Sequence, residues 1–332
     1  MNESLQQRCE HLIKNDELLR KSSHLEYEYL IKLGALLYTF QERDVDPAKI
    51  KECLEILRQK VGMFSTFRGS LGLVVRVKMS LADDPEAYAD AMIDVYNMLK
   101  GNRKLVEESL TMAAMTICDL CPPDQLEEVT ENVHGLFDAF REIHPWITND
   151  AQATFIALMV LAGKDVNETA REAEQIFQLL KENARISSST AQTVAMVLAL
   201  SDKPIKEKIE RFFALYEACK NAKHEVDRGK SMAIYAAFAD VDMPIDELVA
   251  QIGEVDDWLK GKKGFGALGV GASQRRLIAS SLVLEDYQKN SQVVVSTSTS
   301  SVVAQAIVTD LVLIIVSIIV TSIVVNSIII NS

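Results

Sequence analysis

Apolar residues recur along this chain at the three-to-four-residue spacing of an amphipathic helix, in segments that follow one another at nearly constant intervals. In one segment the apolar positions Ile209, Phe212 and Tyr216 interleave with charged positions such as Glu210 and Arg211. Each segment has an apolar anchor near its end, and successive anchors are 39 to 41 residues apart: Ile56, Val95, Leu136, Ile176, Leu215 and Val255. This spacing predicts a helical repeat of about 40 residues.

Proline positions mark the same period independently. Six of the seven prolines lie about ten residues before an anchor: Pro47, Pro85, Pro122, Pro123, Pro204 and Pro244. Proline is tolerated in the first turn of a helix, where its missing N–H has no partner to lose. We therefore predict a turn followed by an amphipathic helix in each unit, with Asp46, Asp84, Asp202 and Asp242 as N-caps. The fourth unit lacks the proline and uses residues 164–167 instead.

A more apolar, alanine-rich segment precedes each turn. Four clear cases are residues 112–117, 155–160, 194–199 and 232–237. Small and apolar residues on most sides of a helix indicate burial between neighbouring helices, so we interpret these segments as inner helices and the charged segments as outer ones. Residues 1–290 lack strand signals such as hairpin dipeptides. The predicted fold class is therefore all-α.

The predicted architecture is a stack of six to seven helical hairpins over residues 1–290, arranged as an α-solenoid or superhelix. The alternative is a closed α/α toroid, the scaffold of several glycosidases and cyclases. Enzymes of that class place catalytic carboxylates on long loops at one end. Because the connections here are mostly only a few residues long, we favour the open form.

Composition narrows the expected location and partners. The chain has 332 residues and a net charge of −12, which argues against sequence-independent nucleic-acid binding, since that requires clustered cations. Five cysteines scattered through helical segments fit a reducing cytoplasm better than a disulfide framework. Residues 1–8 lack the apolar core of a secretory signal. We expect a cytoplasmic protein.

One glycine-rich segment literally contains G-x-G-x-x-G, at Gly264, Gly266 and Gly269. A dinucleotide site needs a preceding strand, whereas residues 257–260 are helical in pattern, so that interpretation is disfavoured. We expect either a plain inter-helix loop or an anion site, in which backbone N–H groups at the start of the next helix act beside nearby cations. The candidate cations are Lys263, Arg275 and Arg276.

A second basic segment, residues 49–78, contains an unusual loop at residues 62–69 with Phe67 and Arg68 between glycines. We favour a packed corner over a binding loop, because connecting loops commonly bury an aromatic anchor. As a hypothesis, the loops at 62–69 and 261–276 meet and form one cationic patch.

Metal and cofactor signals are weak. Cys118 and Cys121 form a single C-x-x-C, without the second pair that a structural zinc site requires. The pair ends a helix, whereas a redox motif begins one, where the dipole lowers the thiol pKa. The five histidines form no metal-binding motif. We therefore expect no metal, no cofactor and no specified catalytic residue.

The composition changes after Asn290. Residues 291–332 form a separate tail, rich first in Ser, Thr and Val and then in Ile and Val, without charge from residue 311 onward. Residues 311–331 are long enough to cross a bilayer. A polar stripe at four-residue spacing and the lack of flanking cations favour a tail helix packed on the array over a membrane anchor.

The segments at 63–69 and 263–277, taken together, resemble the hallmark segments of an uncharacterised bacterial family, domain of unknown function 4003. The resemblance spans nearly the whole chain. It implies an all-helical protein without assigned activity, so it supports the fold and leaves function open.

Our leading functional expectation is a cytoplasmic interaction module that binds a protein or peptide, an analogy drawn from solenoid folds. An α/α-toroid enzyme or an anionic-ligand binder that uses the loops at 62–69 and 261–276 is the alternative, and we lean against an enzyme. A scaffold anchored to a membrane by its C-terminal segment is a further alternative.

Overall fold

The computed structural model describes residues 1–23, 26–101, 108–143, 153–182, 186–266 and 269–290, and the predicted tail, 291–332, lies outside them. The described residues are all-helical, as predicted, and contain no strand. Their fourteen α-helices are α1 (Glu3–Arg20), α2 (Glu28–Phe40), α3 (Pro47–Lys60), α4 (Gly72–Leu81), α5 (Pro85–Lys100), α6 (Glu108–Leu120), α7 (Leu126–Ile143), α8 (Ala153–Leu161), α9 (Val166–Lys181), α10 (Ser188–Leu198), α11 (Ile205–Asn221), α12 (Ala233–Ala236), α13 (Ile245–Lys260) and α14 (Ala272–Asn290).

Buried and amphipathic helices alternate along the chain. Twelve of the thirteen residues of α2 are buried, as are seven of the nine in α8. By contrast, α3 buries only Ile50, Cys53 and Leu57, on one stripe. The division into apolar helices and charged helices therefore follows the hydrophobic pattern of the sequence.

The described residues fall into two compact units. The middle unit contains residues 16–171, and the terminal unit contains residues 1–15 together with 172–290. In the middle unit α2 packs against α4, α5 against α6, and α6 against α8. In the terminal unit α11 packs against α13, and α13 against α14.

Within the terminal unit, the start of α1 is attached to α14. The Ser4 hydroxyl donates to Asp286 at 2.6 Å, and Nε of Arg8 donates to the same carboxylate at 3.0 Å. Asp286 is buried, so these bonds supply the partners that a desolvated charge requires.

Each unit contains hydrogen bonds between residues about 40 positions apart. In the middle unit the Tyr38 and Ser80 hydroxyls are 2.5 Å apart. In the terminal unit Ser201 donates to Asp240 at 2.5 Å and Lys203 to Asp242 at 3.1 Å. Side chains one predicted repeat apart are thus direct neighbours within each unit.

Two of the four predicted N-caps are present and two are wrong. The carboxylates of Asp46 and Asp84 accept from the second and third backbone N–H groups of α3 and α5. Asp202 and Asp242 lie one residue further from their prolines, with Lys203 and Met243 between. This insertion makes the proline itself the cap of α11 and α13, and neither helix has a side-chain cap.

No helix in the described part of the chain is both long and apolar enough to cross a membrane. The predicted segment 311–331 lies outside the described residues.

Candidate functional site

The loop at 62–69, in the middle unit, is a packed corner with an exposed tip. Phe67 is buried, and its ring makes an edge-on contact with Tyr96 at a centroid distance of 5.0 Å. Ser65 accepts from the Phe67 backbone N–H at 3.4 Å and begins the 3-10 turn Thr66–Arg68. Phe67 is therefore the buried anchor of this loop.

The tip of the same loop is apolar and points to solvent. Phe64 is 94% exposed and Met63 is 68% exposed, whereas Phe67 in the same loop is buried. Arg68 is half-buried and donates to the Val61 carbonyl at 3.3 Å, which closes the loop at its base. The predicted site residues of this loop are Phe67 and Arg68; the exposed Met63 and Phe64 were not predicted.

Contacts with α6 hold this loop in place. Thr111 donates to the Thr66 hydroxyl at 2.8 Å, and Ser70 donates to the Glu108 carboxylate. The apolar tip is consequently presented on a base that is fixed at several points.

In the glycine-rich loop of the terminal unit, the backbone at Gly269 passes very close to the backbone at Gly264. Gly264 has φ +80°, in the left-handed region that favours glycine. A Cβ atom at Gly269 would lie 2.1 Å from the Gly264 carbonyl oxygen, so only glycine fits there. The Val270 N–H donates to that same oxygen at 3.0 Å. These two glycines thus have a steric role, whereas Gly266 has open space where its Cβ would be.

One N–H group and one hydroxyl at the start of α14 form hydrogen bonds within the protein. The Gly271 N–H donates to Oε1 of Gln274 at 2.8 Å. The next hydroxyl, that of Ser273, accepts from the Asp227 N–H at 2.7 Å. The helix start is therefore used to fasten the preceding loops.

Both predicted arginines of the loop converge on one buried carboxylate, Asp256. Nε of Arg275 donates to Oδ1 at 2.5 Å, and Nε of Arg276 lies 3.4 Å from Oδ2. Nδ1 of His224 is 2.9 Å from the same Oδ2. Asp256 is only 2% exposed, so this clustering compensates a charge that burial would otherwise make unfavourable.

Other donors of the two arginines bind backbone carbonyls. Arg275 is buried and donates to the Phe265 carbonyl at 3.0 Å. Arg276 donates to the carbonyls of Lys223 and Glu225 at 2.5 and 2.8 Å. The guanidinium groups therefore tie the loop after α11 and helix α13 to α14. The charge of Arg275 is already matched by the carboxylate of Asp256.

His224, Asp256 and Asp257 are the one group in the described residues with ligand atoms close enough to hold a metal ion, all within 4.8 Å of one another. Two guanidinium groups already lie against Asp256, and a cation bound there would meet their repulsion. The donor set fits a structural charge network better than a metal centre.

The exposed cations of this region lie around the network. Lys260 is exposed at the end of α13, and Lys263 is exposed in the following loop. The Lys262 ammonium group lies 3.9 Å from the centre of the Trp258 ring, a cation–π contact. Among the three predicted cations of this loop, Lys263 is the one that is exposed, while Arg276 is half-buried and Arg275 is buried.

Both thiols of the C-x-x-C pair have raised pKa values. Burial raises the pKa of Cys118 to about 12, and burial with the nearby Asp124 and Glu128 raises the pKa of Cys121 as well. Both side chains are free thiols. Because the thiolate is the more nucleophilic form, these raised pKa values lower the nucleophilicity of both thiols near neutral pH.

The predicted site residues thus lie in two different units. Lys263, Gly264, Gly266, Gly269, Arg275 and Arg276 share the terminal unit, while Phe67 and Arg68 belong to the middle unit. A joint patch made from both loops stays a prediction.

Comparison with known proteins identifies a family and no characterised relative. No curated protein and no solved structure matches the chain. The family model described as "Protein of unknown function (DUF4003)" matches residues 16–312, most of the chain. The chain therefore belongs to the DUF4003 family.

Proposed function

We propose that this protein is a helical-repeat interaction module that docks a partner protein through the exposed side chains of Met63 and Phe64. The observation that carries the proposal is the 94% exposure of Phe64 beside Met63, in a loop whose base is anchored by buried Phe67. Burial of a Phe or Met side chain is worth about 1.5–3 kcal/mol each, so this tip leaves a substantial interaction free energy unused in the isolated chain.

Anchoring favours binding, because a loop that is already ordered loses little conformational entropy when a partner docks. The contacts from Thr111 and Ser70 supply that order. Aromatic side chains and methionine are enriched at protein interfaces, which fits the composition of the tip.

The repeat architecture is consistent with this function. Hydrogen bonds link residues about 40 positions apart in both units, as in Tyr38–Ser80 and Lys203–Asp242, which supports a hairpin stack. Stacked hairpins commonly serve as extended binding surfaces. The cytoplasm is our proposed location, supported by five free cysteines.

Site-specific photo-crosslinking tests the docking site. Phe64 is replaced by benzoylphenylalanine in the full chain, and the control carries it at Leu179, which is 45% exposed in the terminal unit. In native lysate we expect a discrete crosslinked protein with the crosslinker at position 64 and none with it at position 179. Adding Met63→Ser to the position-64 variant should abolish that crosslinked product. Equal crosslinking at both positions, or a product insensitive to Met63→Ser, contradicts the proposal.

A further inference from the structure

A second surface of the terminal unit carries an excess of positive charge on an acidic protein. Residues 258–284 contain five cations and no carboxylate, in a chain of net charge −12. Two of the five, Arg275 and Arg276, belong to the network around Asp256. The others are Lys260, Lys262 and Lys263.

The neighbouring loop, residues 222–231, adds Lys223 to the same region of the unit. Because His224 of this loop pairs with Asp256, the loop lies against α13. Arg276 donates to the Lys223 carbonyl, which fixes the backbone of that exposed lysine against α14. Lys223 is thus held beside the end of α13, where Lys260 is also exposed.

Three acidic groups lie near this surface, and one of them is already paired. Glu225 lies 3.7 Å from Arg276. Asp257 is exposed beside the network, and Asp227 is exposed in the 222–231 loop. Within the described part of the chain, the ammonium groups of Lys223, Lys260 and Lys263 have no ion-pair partner.

We propose that Lys223, Lys260 and Lys263 form a docking surface for an acidic peptide segment of a partner protein. Like-charge repulsion among these lysines is relieved when carboxylates bind, and the field of a clustered patch raises the local concentration of an anionic partner. Although the chain as a whole is negatively charged, residues 258–284 at this surface contain no carboxylate. The surface is therefore electrostatically complementary to an acidic segment. This surface is separate from the Met63–Phe64 tip, and either can fail without the other.

Fluorescence anisotropy of a fluorescein-labelled decaglutamate peptide tests the proposal. The full chain is compared with a K223E/K260E/K263E variant and with a K51E/K181E/K206E control, which changes the net charge equally at exposed lysines elsewhere. We expect at least roughly tenfold weaker binding in the first variant, a change below threefold in the control, and steep weakening as NaCl is raised past the point where the Debye length is about 10 Å.

Three outcomes overturn the proposal: equal weakening in both variants, no binding by the unmodified chain at 20 mM NaCl, or binding to phosphatidylglycerol vesicles without binding to the peptide. If circular dichroism shows that the triple variant is unfolded, the single change Lys263→Glu replaces it. That side chain is exposed, and we expect at least a threefold loss.

Discussion

The imidazole of His224 packs directly over Gly253 of α13. A Cβ atom at position 253 would lie 2.9 Å from Nε2 of His224, closer than real Cβ contacts allow. The same ring reaches Asp256, one turn further along the helix, through Nδ1 at 2.9 Å. The missing side chain of Gly253 is therefore what allows the histidine to reach the buried carboxylate.

This relationship predicts a sign reversal. In the unmodified protein we expect Gly253→Ala to be destabilising by about 1–3 kcal/mol, because the ring must move. In a His224→Ala background the same change should be neutral or stabilising by up to about 1 kcal/mol, since alanine is the better helix former. Urea unfolding of the four proteins measures the coupling, and an equal effect of Gly253→Ala in both backgrounds would contradict the packing.

A second prediction concerns the charge of Asp256. Removing it by Asp256→Ala leaves the Arg275 guanidinium buried without its carboxylate, which costs about 3–5 kcal/mol. The adjacent change Asp257→Ala removes an exposed carboxylate, and we expect an effect within about 0.5 kcal/mol. Urea unfolding midpoints distinguish the two, and similar midpoints for both variants would rule out the network as a structural element.

The burial of Asp256 could be predicted from the sequence, but its arginine partners could not. The helical period places it on the apolar stripe of α13, with Ile252, Val255 and Leu259. The corresponding positions of the three preceding units hold Phe137, Phe177 and Tyr216, so a carboxylate at an aromatic position was a visible signal of a buried partner. The arginines it binds are about 20 residues away, and no local period predicts that pairing.

Helix assignment, by contrast, followed from local chemistry. The apolar period and the prolines predicted the alternating helices, because both act within a few residues. The predicted caps Asp202 and Asp242 are wrong because one inserted residue moved each aspartate away from the start of its helix. The burial of Phe67 rather than Phe64 depends on Tyr96, about 30 residues away, which sequence spacing does not encode.

The two kinds of aspartate before proline give a third prediction. The Asp84 carboxylate accepts from the N–H groups of Glu86 and Ala87 at 2.9 and 3.0 Å, so Asp84→Ala should cost about 1 kcal/mol. The Asp242 carboxylate caps no helix and pairs with Lys203 at the surface, so we expect Asp242→Ala to change stability by less than about 0.5 kcal/mol. Thermal unfolding of the two variants checks this, and the reverse order would refute the cap assignment.

A fourth prediction uses the thiol of Cys53. Burial raises its pKa from 9.0 to about 11, so ionisation is easier in the unfolded chain. The resulting stability is fully present below pH 9 and is lost as the pH rises from 9 to 11. The free energy of unfolding should fall more steeply across this window in the unmodified protein than in Cys53→Ala, by about 1 kcal/mol per pH unit. Parallel pH profiles would show that the thiol ionises equally in both states.

The last prediction compares two phenylalanines three residues apart. Phe67 is buried against Tyr96, so Phe67→Ala should destabilise the middle unit by about 3–5 kcal/mol. Phe64 is 94% exposed, so Phe64→Ala should change the free energy of unfolding by less than about 0.5 kcal/mol. When benzoylphenylalanine is placed at position 63 instead of 64, we expect a crosslinked partner that Phe64→Ala removes. Stability and docking are thereby measured on separate side chains of one loop. If Phe64→Ala lowers stability as much as Phe67→Ala, the tip is part of the core, and its exposure gives no reason to expect a partner there.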